Sequence, residues 1–369
     1  MESGNPMSET LRKLFLVISA IASVVGGCAG SLVIRLYFIH GGSRIWLSSF
    51  LQTAGFPINL IPLAIIYMIR RKSQNPSNAK LILMEMPLFK ASVIIGLLFG
   101  VIDYLYSYGS SKLPVSTSAL IYSSQLAFVA GFAFFIVKQK FTPYTVNTLV
   151  LLTIGPAILA LNASSDRPEG ESTRDYIKGF IMTGLAALVN GFVLPLMELA
   201  YKKANQEITF TLAVEFNMMM CFFATAFSTV GMLINKDFQA ISREAREFEL
   251  GEPIYYLVLV STSILWTMSL LGLNGVIFCG SSLLSGILSA LSIPIVEVLA
   301  VIFYHEKFQA QKGISLLLSL WGFVSYFYGE IRASKKASNL ATPEVEVGAQ
   351  EINTQKEIVD TKIEAGTSL

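Results

Sequence analysis

The chain has 369 residues, 53% of them hydrophobic and 14% charged, with a formal net charge of +2. Soluble domains carry about 25% charge, so a chain this apolar, with its charges gathered between apolar blocks, reads as an all-α polytopic membrane protein. The near-neutral balance argues against a nucleic-acid partner. The cysteines, Cys28, Cys221 and Cys279, lie in apolar runs and the 2 histidines lie at span ends, so no disulfide framework, metal site or cofactor is expected.

Residues 1–13 are polar and read as disordered. Ten apolar spans follow, predicted at Leu14–Tyr37, Trp46–Ile69, Ala91–Tyr108, Val115–Val137, Thr145–Leu161, Ile177–Ala200, Thr209–Ile234, Tyr255–Phe278, Ser281–Tyr304 and Gly313–Tyr328. The first is too long for a signal-peptide core, because its apolar run continues through Leu32, Val33 and Ile34. Residues 14–161 thus hold five spans, 162–176 form a charged linker, and 177–331 hold five more. Between spans seven and eight the run SREAREFELGE has helical periodicity; it reads either as an amphipathic helix in the membrane interface or as a solvated loop. Residues 332–369 turn polar and read as a disordered cytosolic tail.

Span nine organises the second block. The stretch Ser281–Phe308 carries one deep carboxylate, Glu297, one turn beyond Pro294, and closes on His305, Glu306 and Lys307. Pro114–Phe141 has the same layout. Lys140-Phe141 and Lys307-Phe308 correspond, and the same offset pairs Gly155 with Gly322, Ser118 with Ser285 and Ala133 with Ala300. Ala130 stands where the second block has Glu297, so the halves share a frame and not their chemistry. Five spans is an odd number, so the second block runs upside down relative to the first. Two inverted five-helix repeats with a site between them near the midplane are the architecture expected of a secondary transporter.

The segment Arg35–Leu63, with GGSRIW entering span two and QTAGFP inside it, resembles the plant purine permease family of the drug/metabolite transporter superfamily. PVST at Pro114–Thr117, PLMELAY at Pro195–Tyr201, FYHEKF at Phe303–Phe308 and LWGFVSYFYGE at Leu320–Glu330 fit the same family, and the resemblance covers Leu14 to Ile331. It implies ten transmembrane helices and proton-coupled uptake of adenine-type nucleobases, cytokinins and related N-heterocycles. Some members take alkaloids or vitamin-like heterocycles, which stands as the alternative substrate class. The implied partners are the small-molecule substrate, protons and membrane lipid. No obligate protein partner is evident, and the plasma membrane is expected over an endomembrane.

A purine is a flat ring with donors and acceptors on its rim, so its site needs a ring to stack on and polar groups to read the edge. Polar side chains are costly inside a bilayer, which makes their positions informative. The candidate substrate-binding residues are Gln52, Asp103, Tyr104, Gln125, Asn190, Glu215, Trp266 and Glu297. Trp266 is the tryptophan near the middle of a span and offers a stacking face. Glu297 is the first candidate for proton coupling, with Glu215 as its alternative or partner. For each of these the competing role is a hydrogen bond that glues neighbouring helices. Glu198, with Lys202 at i+4, reads as an interfacial pair.

Two other classes compete with a transporter. A membrane enzyme would need clustered histidines or paired acids near an interface, and no such cluster is visible. A membrane sensor or scaffold without transport would carry a folded soluble module, and the tail is too polar and short for one. An even span count puts both termini on one side, and the Lys/Arg bias, anchored by Arg70, Arg71 and Lys72, makes that side cytosolic. Protease applied to intact cells is therefore expected to spare an epitope placed after Leu369 and to cut one inserted near Glu169. A clipped C-terminal epitope reverses this orientation.

Overall fold

The computed structural model describes residues 9–73, 82–113, 118, 121–122, 124–160, 173–204, 206, 209–304, 310, 313–314, 317–318, 320–329 and 331–332. In chain order the helices are α1 (Glu9–Ile39), α2 (Ile45–Thr53), α3 (Leu60–Ser73), α4 (Met86–Lys112), α5 (Gln125–Ile136), α6 (Pro143–Ala160), α7 (Thr173–Lys202), α8 (Phe210–Ile234), α9 (Asp237–Glu247), α10 (Glu252–Cys279) and α11 (Ser282–Tyr304). Residues 320–329 are helical as well. Among the described residues, seven segments are long and apolar enough to cross a membrane: α1, the α2–α3 stretch Ile45–Met68, α4, α7, α8, α10 and α11. Two shorter apolar helices, Gln125–Ile136 and Pro143–Ile154, fall in predicted spans four and five. Apolar side chains such as Val17, Ile181, Val230 and Leu257 ring the outside, where lipid would meet them.

Local sequence sets the breaks. Predicted span two is one apolar run, yet it divides into α2, a 3-10 turn at Phe56–Asn59, and α3. Pro57 supplies no amide to continue α2, and at Gly55 the backbone approaches Ser263 and Thr267 of α10 so closely that a side chain has no room. α4 and α10 each start with proline in the first turn, where the missing N–H is not needed. The Thr209 side chain caps α8 by accepting from the Leu212 amide at 3.4 Å.

The termini differ from the sequence reading. Helix α1 already begins at Glu9, inside the N-terminal stretch expected to be disordered. Its first turns are tied down, with Lys13 paired to Glu9 at 2.7 Å and Arg12 Nε donating to the Cys279 carbonyl at 3.1 Å. Likewise α7 starts at Thr173, within the predicted linker. Residues 161–172 and 333–369, which hold most of that linker and the tail, lie outside the described residues.

Between spans seven and eight the chain forms a helix, α9, entered through Lys236 in the left-handed conformation (φ 58°). It docks through its acids. Glu244 Oε1 accepts from the hydroxyls of Tyr37 (2.5 Å) and Tyr255 (3.2 Å), while Arg44 reaches both Glu244 (3.4 Å) and Asp237 (3.5 Å). Burial pushes the Asp237 carboxyl up, against the opposing pull of Asn235 and Arg44.

Helix pairing is close and reciprocal. α1 lies along α10, and α4 lies along α7; these are the most extensive pairs among the described residues. α1 also meets α11, α5 meets α7, α2 crosses α8, and α5 crosses α11. Small residues permit the approach. A Cβ on Gly26 of α1 would stand 2.6 Å from the Leu265 carbonyl oxygen and 2.7 Å from the Ser269 amide nitrogen of α10. A Cβ on Gly272 of α10 would stand 2.5 Å from both the Ser19 oxygen and the Ser23 nitrogen of α1. Residues 320–329 run antiparallel along α6, with Thr148 Oγ1 donating to the Gly322 carbonyl (2.8 Å) and Asn147 to Ser325 Oγ (3.0 Å).

Backbone cannot yield as a side chain can, so Gly26→Leu and Gly272→Leu are expected to cost roughly 1–3 kcal/mol each or more by overpacking. Gly131→Leu, at a position with nothing within 4 Å, serves as the control. Thermal unfolding of the detergent-solubilised variants, followed by size-exclusion fluorescence, reads the difference.

Candidate functional site

A cavity of about 130 Å³ lies among α1, α4, α10, α11 and the segment leading into α5. Each helix brings one face to it. From α4 come Phe99, Asp103, Tyr106 and Ser110, spaced i, i+4, i+7 and i+11 and therefore on one stripe. Ser118, Tyr122 and Gln125 repeat the same spacing on the next span. α10 contributes Trp266, and α7 contributes Asn190.

The wall has an aromatic part and a polar part. Tyr106 lies 4.9 Å from Tyr122 and meets Trp266 edge-on at 6.3 Å, measured between ring centroids. Gly30 of α1 makes room for the indole, because a Cβ there would come within 2.9 Å of Trp266 Nε1. On the polar part, Asn190 Nδ2 donates to Gln125 Oε1, coupling α7 to α5. Gln52 Nε2 donates to Ser107 Oγ (2.9 Å) and to the Asp103 carbonyl (3.4 Å), which fixes the end of α2 against α4. Asp103 Oδ2, Asn190 Oδ1 and Trp266 Nε1 are buried without a hydrogen-bond partner. Orphaned atoms also occur elsewhere, at Asn59 and Ser285. Those on the cavity wall are free for a guest with matching groups. Such a wall can stack a flat ring and read its edge. Among the described residues no group of three His, Cys, Asp or Glu is placed to hold a metal.

Five of the residues singled out from sequence come together here: Gln52, Asp103, Gln125, Asn190 and Trp266. Others stand apart. Tyr104 stacks on Trp46, with centroids 4.1 Å apart and planes at 27°, and does not line the cavity. Its i+4 relation to Tyr108 puts it on a different face of α4 from Asp103 and Tyr106. Glu215 is buried at the start of α8, where its Oε2 accepts from the amides of Leu83 (2.9 Å) and Met84 (3.1 Å) leading into α4. Glu297 is on α11 directly after the cavity-lining Val296, and its side chain lies outside the described residues. Glu198 keeps the expected partner, Lys202 at 2.7 Å, but is only 4% exposed, and its Oε2 also accepts from the Ser282 amide at 2.7 Å to cap α11. Asn217 and Asn274 bond to each other at 2.6 Å and, through Tyr201, tie α8, α10 and α7 away from the cavity.

Tyr106 and Tyr122 were not among the candidate binding residues named from sequence. Their signal was the helical spacing from Asp103 and from Gln125, three residues away in each case.

The family described as "Purine nucleobase transmembrane transport" matches residues 14–336. "Purine permease 3" of Arabidopsis thaliana is 52% identical over 324 residues, covering 88% of this chain and 92% of the relative. "Purine permease 2" of the same plant is 49% identical over 338 residues, covering 88% and 94%. A solved structure titled "Crystal structure of protein" superposes with a TM-score of 0.59 at 15% identity, covering 85% of this chain and 97% of that one, and shows likeness of fold. With that family match spanning nearly all of the apolar spans, the chain belongs to the purine permeases: it is an integral, multi-pass nucleobase transporter and not an enzyme.

Proposed function

We propose that the chain is a secondary active transporter of the plasma membrane that takes up adenine-type nucleobases, cytokinins and related N-heterocycles together with protons. The observation that carries this reading is the cavity wall, where the rings of Tyr106, Tyr122 and Trp266 stand beside the edge-reading groups of Gln125, Asn190 and Asp103. The names of the Arabidopsis relatives point the same way. Uptake of radiolabelled adenine into a yeast strain lacking its own nucleobase uptake tests it, and accumulation above the external concentration separates coupled transport from a passive pore.

The pattern of helix contacts supports ten spans in two inverted repeats. Exchanging span one with six, two with seven, three with eight and four with nine turns the α1–α10 contact into α7–α4, and α1–α11 into α7–α5. It turns α4–α8 into α10–α2 and leaves α2–α8 and α5–α11 unchanged. An inverted repeat has two-fold symmetry of this kind, and alternating access follows when the helix packages on either side of the cavity rock about it.

Site substitutions are expected to separate stacking from edge reading. Trp266→Phe should keep most of the affinity for adenine and Trp266→Ala should lose roughly 1–3 kcal/mol, the range found for bases stacked on aromatic side chains. Gln125→Leu should weaken substrates with hydrogen-bonding rims more than those without. Competition binding on the purified carrier measures both, and unchanged affinities would take these residues out of the site.

Proton coupling requires an acid that loads outside and unloads inside. Glu297 is proposed for this step, since Glu215 is already engaged by two backbone amides. Glu297→Gln is expected to abolish accumulation driven by a pH gradient while leaving counterflow exchange intact. Normal pH-driven accumulation in that variant would move the proton path elsewhere.

A further inference from the structure

Buried carboxyls in this bundle are generally met by donors: Glu198 by Ser282 and Lys202, Glu215 by two backbone amides, Glu244 by two tyrosine hydroxyls. Asp103 differs. It is 7% exposed, it lies on the cavity wall, and its Oδ2 has no hydrogen-bond partner. The helices packed against α4 bring it mostly uncharged groups. α2 presents Gln52, which bonds the Asp103 backbone carbonyl rather than its carboxyl; α7 presents Asn190; α8 presents the Cys221 thiol and, near its start and away from Asp103, Glu215. Tyr122 and Tyr106 add two phenols, and Arg35 of α1 is the cation on the same wall.

A carboxylate left without donors inside a bundle is costly, whereas a neutral carboxyl has both an O–H to give and a carbonyl oxygen that accepts. Those two groups match a ring nitrogen adjacent to an N–H, the amidine-type edge that aminopurines present. We infer that Asp103, in its neutral form, reads this edge through a paired contact, its O–H donating to the ring nitrogen and its carbonyl oxygen accepting from the N–H. This selects heterocycles with an amidine-type edge over equally flat rings that lack the N–H, and it ties substrate affinity to protonation of the same side chain. The inference rests on the purine reading above and adds to it the residue and the edge.

The test is equilibrium binding of radiolabelled adenine to the purified full-length carrier from acidic to mildly alkaline pH. Wild type is expected to lose affinity as pH rises. Asp103→Asn offers an N–H and a carbonyl to the same edge at every pH, so it should bind within a few-fold of wild type at acidic pH and show no such decline. Asp103→Leu should lose roughly tenfold or more, because it can make neither bond. A fully N-methylated adenine keeps its ring nitrogens but has no N–H, so it can make only one of the two bonds; it should bind wild type more weakly than adenine does and lose less affinity than adenine on Asp103→Leu. Adenine binding to Asp103→Leu as to wild type, or a wild-type pH dependence in Asp103→Asn, overturns the assignment while leaving the purine reading standing. Should Asp103→Leu fail to fold by size-exclusion, the pH response of Asp103→Asn decides. Failure of wild type to bind any purine removes the purine reading and this inference together.

Discussion

Hydrocarbon offers no hydrogen bonds, so polar groups carried into the bilayer need answers from within the bundle. Most of the organisation of this protein follows from that constraint. Ser49 is bonded to Ser228, Thr53 to Thr225, and Asn217 to Asn274, each bond joining one helix to another. Glu198 and Glu215 go further and satisfy the exposed amides where a helix begins or is about to begin. A buried polar group is informative in a sequence, yet each of these is bonded within the bundle. On the cavity wall some answers are missing. Asp103, Asn190 and Trp266 each keep an unpartnered atom on its wall, and a transported molecule with a polar rim is the natural complement.

Close helix approach places that wall. α1 meets α10 backbone to backbone at Gly26 and Gly272, and α4 runs with α7 through Gly109 and Gly179. Each pair joins a helix of the first half of the chain to one of the second. The cavity sits between these mixed packages, so Asp103 and Gln125 from the first half face Trp266 and Asn190 from the second. The closely packed units are therefore helix pairs drawn from both halves rather than the two halves of the sequence.

The far ends of the helices are held by different means. At one end α9 and the turn after α1 are clasped by Arg44, Asp237 and Glu244 around the hydroxyls of Tyr37 and Tyr255. At the other, Arg12 is bonded to the end of α10 and Glu198 to the start of α11. Both sets join segments distant in sequence.

The membrane class, the multi-pass helical character and the family were legible in the sequence, because hydrophobicity, breaks at proline and glycine, and local motifs are written along the chain. The sequence also nominated the amide and carboxyl side chains of the cavity wall, Gln52, Asp103, Gln125 and Asn190, since few types of side chain are tolerated at that depth. It could not show that Tyr104 turns to Trp46 while Tyr106 turns to the cavity, or that Glu215 serves two amides. Nor could it show that an apolar run as continuous as span two breaks into α2 and α3 against α10. Those outcomes depend on which helices meet and at what rotation about their axes. That is fixed by side-chain volume and small-residue contacts between segments hundreds of residues apart, and only the tertiary structure decided them.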